Sequence, residues 1–327
     1  MQSPPKILHV VISMVVGGAE RLVYDMVRHP QFAANKPVIC CLDGSGELGE
    51  QLQQQGYQVF AKQRRSGIDW SIIPWLKQII RAENIDVVHA HQYTPLFYTV
   101  LAAKLAGGVK VVYTEHGRFY PDRKSWKRAL LNPLLAKGID HLVSISAATA
   151  QAMATYDHLP ANRIKVIHNG IDCSRMNPEF DHQAKRRELG IPDDCFVLGT
   201  AARLNTIKNI PMMLRGLKLL LESTPNVCLV IAGQGEEEAN LKHLAQQLNL
   251  EKQVKFIGLR FDLPEVYPLF DVFLLTSFSE GISITLLEAM ASQVPAVVTN
   301  VGGNPEVVLA GETGYLVPVD DDEQLAR

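Results

Sequence analysis

The chain has 327 residues, of which 47% are hydrophobic and 20% charged, and its formal net charge is −2. This length exceeds one ordinary domain and suits two domains of roughly 150 residues each. No apolar run reaches the ~20 residues that cross a bilayer, and residues 1–13 lack the parts of a signal peptide. The five cysteines show no zinc-binding spacing. The composition therefore excludes an integral membrane protein and predicts a globular, cytoplasmic one.

Charge is distributed unevenly along the chain. Residues 1–168 carry 19 Lys and Arg against 12 Asp and Glu, a balance of +7, whereas residues 169–327 carry 13 against 22, a balance of −9. A basic first half suits an anionic partner or a membrane surface. Scatter of charges over a solvated surface explains the same numbers equally well, so both interpretations stay open.

Short β-branched runs alternate with amphipathic segments from end to end. The strands predicted in the first half are residues 7–13, 37–42, 85–90, 109–114, 141–145 and 164–168. Those in the second half are residues 196–201, 227–232, 254–258, 272–276, 296–299 and 315–317. Helical patterns lie between them at residues 71–82, 147–156, 210–222, 239–248 and 283–291. Continuous Val and Ile runs between helices are typical of parallel strands buried on both faces. The pattern therefore predicts a doubly wound α/β fold.

The series of strands is interrupted once, by a polar, proline-containing stretch at residues 169–194. We therefore predict an N-terminal Rossmann-like domain over residues 1–170, a linker over 171–194 and a C-terminal Rossmann-like domain over 195–327. Ligands of such sheets bind beyond the carboxyl ends of the strands, so we expect the site in a cleft between the two domains.

Two pairs of glycines follow predicted strands in the second half. Gly233 and Gly235 come directly after one strand, and Gly302 and Gly303 come after another, just before a proline that is typical of a helix start. Glycine lets backbone amides approach a ligand, and a helix N-terminus favours anions. An ordinary strand-to-helix turn is the alternative explanation for each pair.

Charged residues also follow the strands of this half. Arg203 and Lys208 come after its first strand, where two cations can neutralise a diphosphate. Glu280 and Glu288 follow the strand at residues 272–276, and Glu288 has apolar neighbours. A carboxylate among apolar residues is costly to bury without a partner, and sugar and ribose hydroxyls are suitable donors to it. A location on the exposed surface is the alternative for these side chains.

Six short motifs, in this order, resemble those of the family 4 retaining glycosyltransferases. They are Gly17-Gly18-Ala19-Glu20 (GGxE), Thr114-Glu115-His116 (T-x-H), Asn169-Gly170-Ile171-Asp172 (NGID), Arg203 to Lys208 (R-x(4)-K), Gly233-Gln234-Gly235 (within AGxGxE) and Glu280 to Glu288 (E-x(7)-E). Each motif is weak by itself, but the ordered set covers nearly the whole chain. The resemblance implies the GT-B architecture, in which two Rossmann-like domains face a cleft, and transfer of a sugar from a nucleoside-diphosphate sugar.

The resemblance also implies a role for each matching residue. Gly17 and Gly18 would form a loop facing the donor phosphates and the acceptor, and His116 would contact the transferred sugar. Arg203 and Lys208 would stabilise the departing diphosphate. The other donor contacts would come from Glu280 to the sugar hydroxyls, Glu288 to the ribose, and the turns at Gly233, Gly235, Gly302 and Gly303.

These roles imply a mechanism without a metal ion. A departing nucleoside diphosphate gains negative charge, which cations and amides already in place stabilise. Metal-dependent transferases usually hold a divalent ion with a DxD motif, and the one match, Asp320-Asp321-Asp322, is better explained as a helix start. We therefore expect no metal and no other cofactor, and we expect Arg203 and Lys208 to stabilise the diphosphate in place of a metal ion. The family resemblance implies retention of the anomeric configuration.

The chain departs from the family's pattern at three points. Ile282 and Ser283 stand where Phe-Gly is frequent, and Asn304 stands where an apolar residue is usual. Both changes are expected near the donor sugar and would bear on the choice of donor. The third is the end of the chain at Arg327, in a helix that has barely begun; members of the family usually continue by several tens of residues, so we expect the C-terminal domain to be truncated at its C-terminus.

The stretch at residues 118–128 is basic, contains aromatic residues and follows His116. It predicts docking to an anionic membrane or to a lipid-linked diphosphate acceptor. Nucleic acid would suit the same composition, but no nucleic-acid motif accompanies it. We expect a nucleotide-sugar donor, a glycan or lipid-linked acceptor, and peripheral contact with the inner face of the membrane during envelope or extracellular polysaccharide synthesis.

Two other functions stay open at this point. A nucleotide-sugar epimerase can share the two-domain architecture and would need no acceptor. A sugar-nucleotide-binding protein without activity is the non-enzymatic alternative. A dinucleotide oxidoreductase is disfavoured because the sequence has no complete GxGxxG with an acidic residue downstream.

Overall fold

The computed structural model describes residues 4–117, 121–122 and 124–327. The chain divides between Asn169 and Gly170 into two compact units. Each unit is built around its own parallel sheet with helices packed against it. The predicted α/β class, with two Rossmann-like domains, is confirmed.

The described part of the first unit holds a seven-stranded parallel sheet with the order β3-β2-β1-β4-β5-β6-β7. Its strands are β1 (Ile7–Val11), β2 (Val38–Cys41), β3 (Val59–Ala61), β4 (Val87–His91), β5 (Lys110–Glu115), β6 (His141–Ser144) and β7 (Ile164–Val166). Its helices are α1 (Gly18–Val27), α2 (Gly46–Gln54), α3 (Ile72–Ala82), α4 (Tyr93–Ala106), α5 (Trp126–Ala136) and α6 (Ala147–Asp157). β3 is absent from the sequence prediction because it is a short edge strand of three half-buried or exposed residues.

The second unit holds a six-stranded parallel sheet with the order β10-β9-β8-β11-β12-β13. Its strands are β8 (Phe196–Ala201), β9 (Val227–Ala232), β10 (Val254–Gly258), β11 (Val272–Leu275), β12 (Ala296–Thr299) and β13 (Gly314–Val317). Its helices are α7 (His182–Leu189), α8 (Ile210–Leu220), α9 (Glu238–Gln247), α10 (Leu263–Val266), α11 (Ile284–Ala291), α12 (Asn304–Val307) and α13 (Asp322–Ala326). Strands of this unit are buried along most of their length, since hydrophobic clusters cover both faces of the sheet.

The segment predicted as a linker, residues 171–194, contains helix α7. The carboxylate of Asp181 caps its start by accepting a hydrogen bond from the backbone of Ala184 at 3.0 Å. Leu189 at its end lies in the hydrophobic core of the second unit, and Lys185 pairs with Asp262 at 2.9 Å. This helix therefore packs as part of the second unit.

Both sheets reverse their strand order beside their first strand, β1 against β4 and β8 against β11. At such a switch point the loops that follow the two strands leave in opposite directions, which opens a crevice for ligands at the carboxyl edge. Among the described helices, none combines the length and apolar character that crossing a bilayer requires.

Candidate active site

Lys208 and Glu280 meet at the switch point of the second sheet. Lys208 ends the one-turn helix Thr206–Lys208 after β8, and Glu280 lies in the loop between β11 and α11. The Lys208 Nζ atom is 2.5 Å from Oε1 of Glu280, and the two side chains are only 21% and 9% exposed. Because the pair is largely shielded from water, removing either partner would leave an uncompensated charge.

Hydrogen bonds hold the Glu280 loop in place. Ser277 Oγ donates to the same Oε1 atom at 2.6 Å, and Thr299 Oγ1 donates to the carbonyl of Ser277 at 2.7 Å. The backbone of Phe278 donates to the carbonyl of Ile207 at 2.8 Å, which ties this loop to the Lys208 turn. The carboxylate is thus oriented before any ligand binds. Sequence reasoning missed Ser277, although a serine three residues before the motif glutamate was a visible signal.

Arg203 lies in the loop after β8, and its side chain is exposed. Within the described part of the chain its guanidinium makes no ion pair, unlike Lys208. A guanidinium presents planar donors that match phosphate oxygens. The structure therefore leaves Arg203 available for an anionic ligand at the carboxyl edge of β8, close in sequence to the Lys208–Glu280 pair.

The glycine pair Gly233 and Gly235 supports the loop that carries Arg203. A Cβ atom on Gly233 (φ +132°) would lie 1.9 Å from the carbonyl oxygen of Ala202, and one on Gly235 would lie 2.2 Å from that of Leu204. Backbone hydrogen bonds join the same segments, including one from Leu204 to Gln234 at 2.9 Å. Close packing of two loops is the observed reason for glycine here, and contact with donor remains a prediction.

Gly302 and Gly303 pack in the same way against the Glu280 loop. A Cβ atom on Gly302 (φ +52°) would lie 1.8 Å from the carbonyl oxygen of Glu280, and one on Gly303 would lie 2.0 Å from that of Gly281. The backbone of Gly303 also donates to the Glu280 carbonyl at 3.3 Å. Any side chain at Gly302 would displace the backbone of Glu280, and any side chain at Gly303 would displace that of Gly281.

Glu288 lies on α11, and its Oε2 atom accepts a hydrogen bond from the Tyr267 hydroxyl at 2.7 Å. Tyr267 is fully buried in the core. Burial, followed by the neighbouring Glu288 charge, raises the pKa of Tyr267 well above its usual value, so this hydroxyl stays protonated as a donor. Sequence reasoning missed Tyr267, because its partner is 21 residues away.

Two of the residues that depart from the family's pattern have structural partners. Ser283 caps α11 by accepting from the backbone of Leu286 at 3.4 Å. Asn304 is completely buried, and its amide donates to the carbonyl of Thr299 at 2.9 Å. Its Oδ1 atom is buried without a partner among the described residues. An effect of these residues on donor choice stays a prediction.

The Asp320-Asp321-Asp322 run is a helix start, as predicted. Asp321 caps α13 by accepting from the backbone of Gln324 at 2.9 Å. Asp322 Oδ2 is 2.5 Å from Nε of Arg215. The side-chain amide of Asn209 donates to Asp320 Oδ1 at 2.9 Å, so all three carboxylates are occupied.

In the first unit, Gly17 and Gly18 lie between β1 and α1. Gly17 is the N-cap residue of α1, with an extended backbone, and Gly18 is its first residue. A Cβ atom on Gly17 would lie 2.4 Å from Oε2 of Glu20 in the first turn, so any other residue would force that side chain to move. The loop thus opens a helix at the switch point of the first sheet.

His116 follows β5 and belongs to a cluster of four histidines that sequence reasoning did not anticipate. His91 Nδ1 lies 2.8 Å from His116 Nε2, and His9 Nδ1 lies 2.9 Å from His91 Nε2. His89 Nε2 lies 2.8 Å from the Thr114 hydroxyl. The pattern His89-Ala90-His91 at the end of a predicted strand was the available signal, since alternate residues of a strand share a face.

The register of the strands brings these rings together. His9 on β1 is opposite His89 on β4, and His91 is opposite Thr114 on β5. Burial lowers the pKa of His89 to about 4 and that of His116 to about 3, and it also lowers the pKa of His9 and His91. All four rings are therefore neutral near pH 7.

Ring nitrogens of His9, His89 and His91 lie within 4.8 Å of one another. Imidazole is a frequent ligand of zinc and other transition metals. However, both nitrogens of His91 already take part in hydrogen bonds to neighbouring rings. Ligation of a metal by His91 would have to break one of them.

Comparison with known proteins identifies the family of this chain. A model described as Glycosyltransferase Family 4 matches residues 16–175, and one described as Glycosyl transferases group 1 matches residues 181–327. EpsD of Bacillus subtilis (strain 168), named as a glycosyltransferase, is 32% identical to this chain over 276 residues. The match covers 81% of this chain and 72% of EpsD.

Two further relatives are similar over nearly the whole chain. The UDP-Gal:alpha-D-GlcNAc-diphosphoundecaprenol alpha-1,3-galactosyltransferase of Escherichia coli is 29% identical over 97% of this chain and 84% of its own. HepE from Anabaena, solved in complex with UDP-glucose, has a TM-score of 0.84 at 25% identity, over 99% of this chain and 88% of its own. These likenesses confirm the GT-B fold, and the chain belongs to the family 4 glycosyltransferases.

Proposed function

We propose that this glycosyltransferase moves a sugar from a nucleoside-diphosphate sugar to a glycan or lipid-linked acceptor, with retention of configuration and without a metal ion. The observation that carries the proposal is the shielded Lys208–Glu280 pair together with the exposed Arg203. HepE binds UDP-glucose, and the Escherichia coli relative is named for UDP-Gal and a diphosphoundecaprenol acceptor. A UDP-sugar donor is therefore the first to test.

The contacts of Glu280 suggest a different role for each of its two carboxylate oxygens. Both Lys208 Nζ and Ser277 Oγ approach Oε1 of Glu280, so Oε2 is left to accept from hydroxyls of the transferred sugar. Lys208 and Arg203 then neutralise the charge that develops on the departing diphosphate, where preorganised cations are most effective. Such an arrangement replaces a divalent ion. The acceptor would attack from the face that the diphosphate leaves, which gives retention.

Nucleotide release is the direct test. UDP-, GDP- and ADP-sugars are offered to the protein with and without EDTA, beside Lys208→Ala and the matched control Lys218→Ala, an exposed lysine of α8. We expect EDTA-resistant release from one donor, lost in Lys208→Ala and kept in the control. Release that requires a divalent ion would overturn the metal-free mechanism and would direct attention to the histidine cluster.

The stereochemistry has its own measurement. The coupling constant of the anomeric proton in the product, compared with that of the donor by NMR, reports retention or inversion. An inverted product would contradict the proposal. Formation of an epimeric nucleotide sugar without any acceptor would point to an epimerase instead.

Peripheral contact with the membrane is proposed through helix α5. Trp126, Leu130 and Leu134 are spaced by four residues and are 74%, 70% and 60% exposed, so they form one apolar stripe on a helix. Lys124 and Lys127 are exposed next to its start. An apolar stripe beside lysines is typical of helices that lie in the plane of an anionic membrane. Residues 118–120 and 123 of the basic stretch lie outside the described residues.

Arg128, in contrast, has a structural role. It pairs with Asp157 at 2.6 Å, and the side chain of Asp157 is completely buried. The guanidinium also lies over the ring of Tyr93, 4.4 Å from its centroid. Reversing the charge of Arg128 would destabilise the first unit whether or not it binds lipid, so this residue is left unchanged in the test.

Sedimentation with vesicles tests the membrane contact. We expect the protein to bind vesicles that contain anionic lipid more than neutral ones, and Leu130→Glu with Leu134→Glu to abolish binding. Lys165→Glu, an exposed lysine on β7, serves as the charge control. Equal sedimentation of all variants would remove the proposal, and a shift from dimer to monomer in the double variant would assign the stripe to self-association.

A further inference from the structure

Three rings of the histidine cluster form one continuous hydrogen-bonded chain. It runs from His9 through His91 to His116, with nitrogen–nitrogen distances of 2.9 and 2.8 Å. The outer nitrogens, His9 Nε2 and His116 Nδ1, are both buried and have no hydrogen-bond partner among the described residues. Buried polar atoms without partners are rare. Here the two unpaired nitrogens are the two ends of the same chain.

Chemistry restricts such a chain to two arrangements. A neutral imidazole has one N–H donor and one acceptor nitrogen, so every ring must donate in the same direction. In one arrangement His9 donates to His91 and His91 donates to His116, which leaves the proton of His116 on Nδ1. In the other, the direction is reversed and His116 Nδ1 is an acceptor. The state of His116 is thus tied to that of a ring two hydrogen bonds away.

We propose that His9 and His91 are positioning residues that determine which nitrogen of His116 carries the proton during sugar transfer. The proposal rests on the proposed contact between His116 and the transferred sugar. Either arrangement gives the buried His116 Nδ1 a defined state, as a donor or as an acceptor, toward the polar group that reaches it when ligand binds. The two arrangements place the unpaired N–H at different buried ends of the chain, on His9 Nε2 or on His116 Nδ1, so their energies differ and one arrangement should dominate. Without the chain, both tautomers of His116 would be populated.

The backbone around His91 restricts this ring as well. The next residue, Gln92, has a φ of +70°, which is uncommon for a residue other than glycine, and its N–H donates to the carbonyl of Thr114 at 2.9 Å. Backbone strain of this kind persists where the surrounding structure over-determines it. The end of β4 is therefore held against β5, with His91 within reach of His116.

His89 provides the matched control. Its ring centroid is 4.1 Å from that of His91 and 5.3 Å from that of His9, so it packs in the same cluster. Its hydrogen bond goes to Thr114 and not to the chain. Replacing His89 removes a ring of the cluster without interrupting the connection from His9 to His116.

The first experiment measures the ¹⁵N chemical shifts of the histidine ring nitrogens in metal-free protein without donor, since these shifts separate protonated from unprotonated nitrogens. We expect one dominant tautomer of His116 in the native chain and in His89→Phe. His9→Phe keeps an aromatic ring but removes the hydrogen bond, so both tautomers of His116 should appear. His9→Asn places an amide near the lost Nδ1 and should restore a single tautomer. Unchanged His116 shifts in His9→Phe would overturn the proposal.

Kinetics give the second measurement. We expect kcat to fall roughly tenfold in His9→Phe with the KM for donor within about twofold, because the contact strengthens in the transition state. His9→Asn should recover most of the rate. Tight binding of added Zn²⁺ that is lost in both the His9 and the His89 variants would identify the cluster as a metal site. That result would overturn the proposal that these rings set the tautomer of His116. If His9→Phe changes the tautomer of His116 but the native protein shows no activity on any donor, the hydrogen-bonded chain would still determine the tautomer. That result would count against the proposed function only.

Discussion

The two units place very different chemistry at equivalent points of their sheets. At the switch point of the second sheet, Lys208 and Glu280 form a charged pair that is shielded from water. At the switch point of the first sheet, His9 and His91 form a neutral hydrogen-bonded chain whose rings have lowered pKa values. One site is organised by charge and the other by the direction of hydrogen bonds. The same topology therefore supports either a pair of opposite charges or a polarity set by the direction of hydrogen bonds.

This difference also decides what each site tolerates. A charged pair fails when either partner is removed, because the remaining charge is left without compensation. A chain of neutral rings depends on continuity, so a residue far from the ligand matters as much as a near one. The following predictions test this contrast, from the largest expected effect to the smallest.

Removing the charged pair should have the largest effect. Lys208→Met and Glu280→Gln should each lower kcat by about 100-fold or more, as loss of preorganised electrostatic groups does. The double variant should be no worse than about tenfold below either single one, because the two side chains act as one unit. Steady-state kinetics of the native protein, both single variants and the double variant, on the accepted donor, measure this double-mutant cycle. Losses that simply multiply would show that the two residues act independently.

Acid should act mainly on the histidine cluster. Its lowered pKa values mean that the unfolded chain binds more protons between about pH 6.5 and pH 4, so stability is lost as the pH falls through this window. With a pKa of about 4 for His89, this residue should contribute about 2 kcal/mol of loss between pH 7 and pH 5.

Urea unfolding at pH 7 and pH 5 measures this loss. His89→Phe should lose less stability on acidification than the native chain does. His243→Phe, at an exposed position of α9, should behave as the native chain. An identical pH dependence in all three proteins would contradict the neutral cluster.

Crowding at the Glu280 loop should have a smaller effect. Gly302 and Gly311 both have positive φ, +52° and +82°, but only Gly302 faces a backbone atom within van der Waals distance. Alanine at either position should cost about 1 kcal/mol for the left-handed backbone. Gly302→Ala should cost more and should also reduce activity at least tenfold by displacing Glu280. Thermal unfolding and steady-state kinetics on the two variants separate backbone strain from crowding. Equal losses of stability and activity in Gly302→Ala and Gly311→Ala would argue against crowding at the Glu280 loop.

The smallest effect is expected at Tyr267. Tyr267→Phe keeps the ring in the core and removes only the hydroxyl that donates to Glu288. We expect a stability loss of about 1 kcal/mol and a rise of a few-fold in the KM for donor, with kcat nearly unchanged. Tyr315→Phe, at a 63% exposed position, is the control. A large fall in kcat would mean that Glu288 acts in the chemical step.

Sequence patterns predicted most of the second unit well, because its strands are continuous apolar runs. Strands β8, β9, β10 and β12 begin and end at the predicted residues. Short local motifs also pointed to Lys208 and Glu280, which the structure brings together, and their roles stay predictions. By contrast, the partners Ser277 and Tyr267 depend on how loops and helices pack, and the pattern of a single segment does not contain that information.

The first unit shows where sequence reasoning stops. The sequence by itself determined the alternation of strands and helices, the order of the motifs and the family to which they belong, because periodicity and glycine turns are local properties of the chain. Only the tertiary structure decided that His9, 82 residues away from His91, lies within hydrogen-bond distance of it. Strand order and register set that contact, and both follow from the burial of two sheet faces by the unit as a whole. Burial also decided that these rings are neutral, because desolvation depends on everything that packs around them.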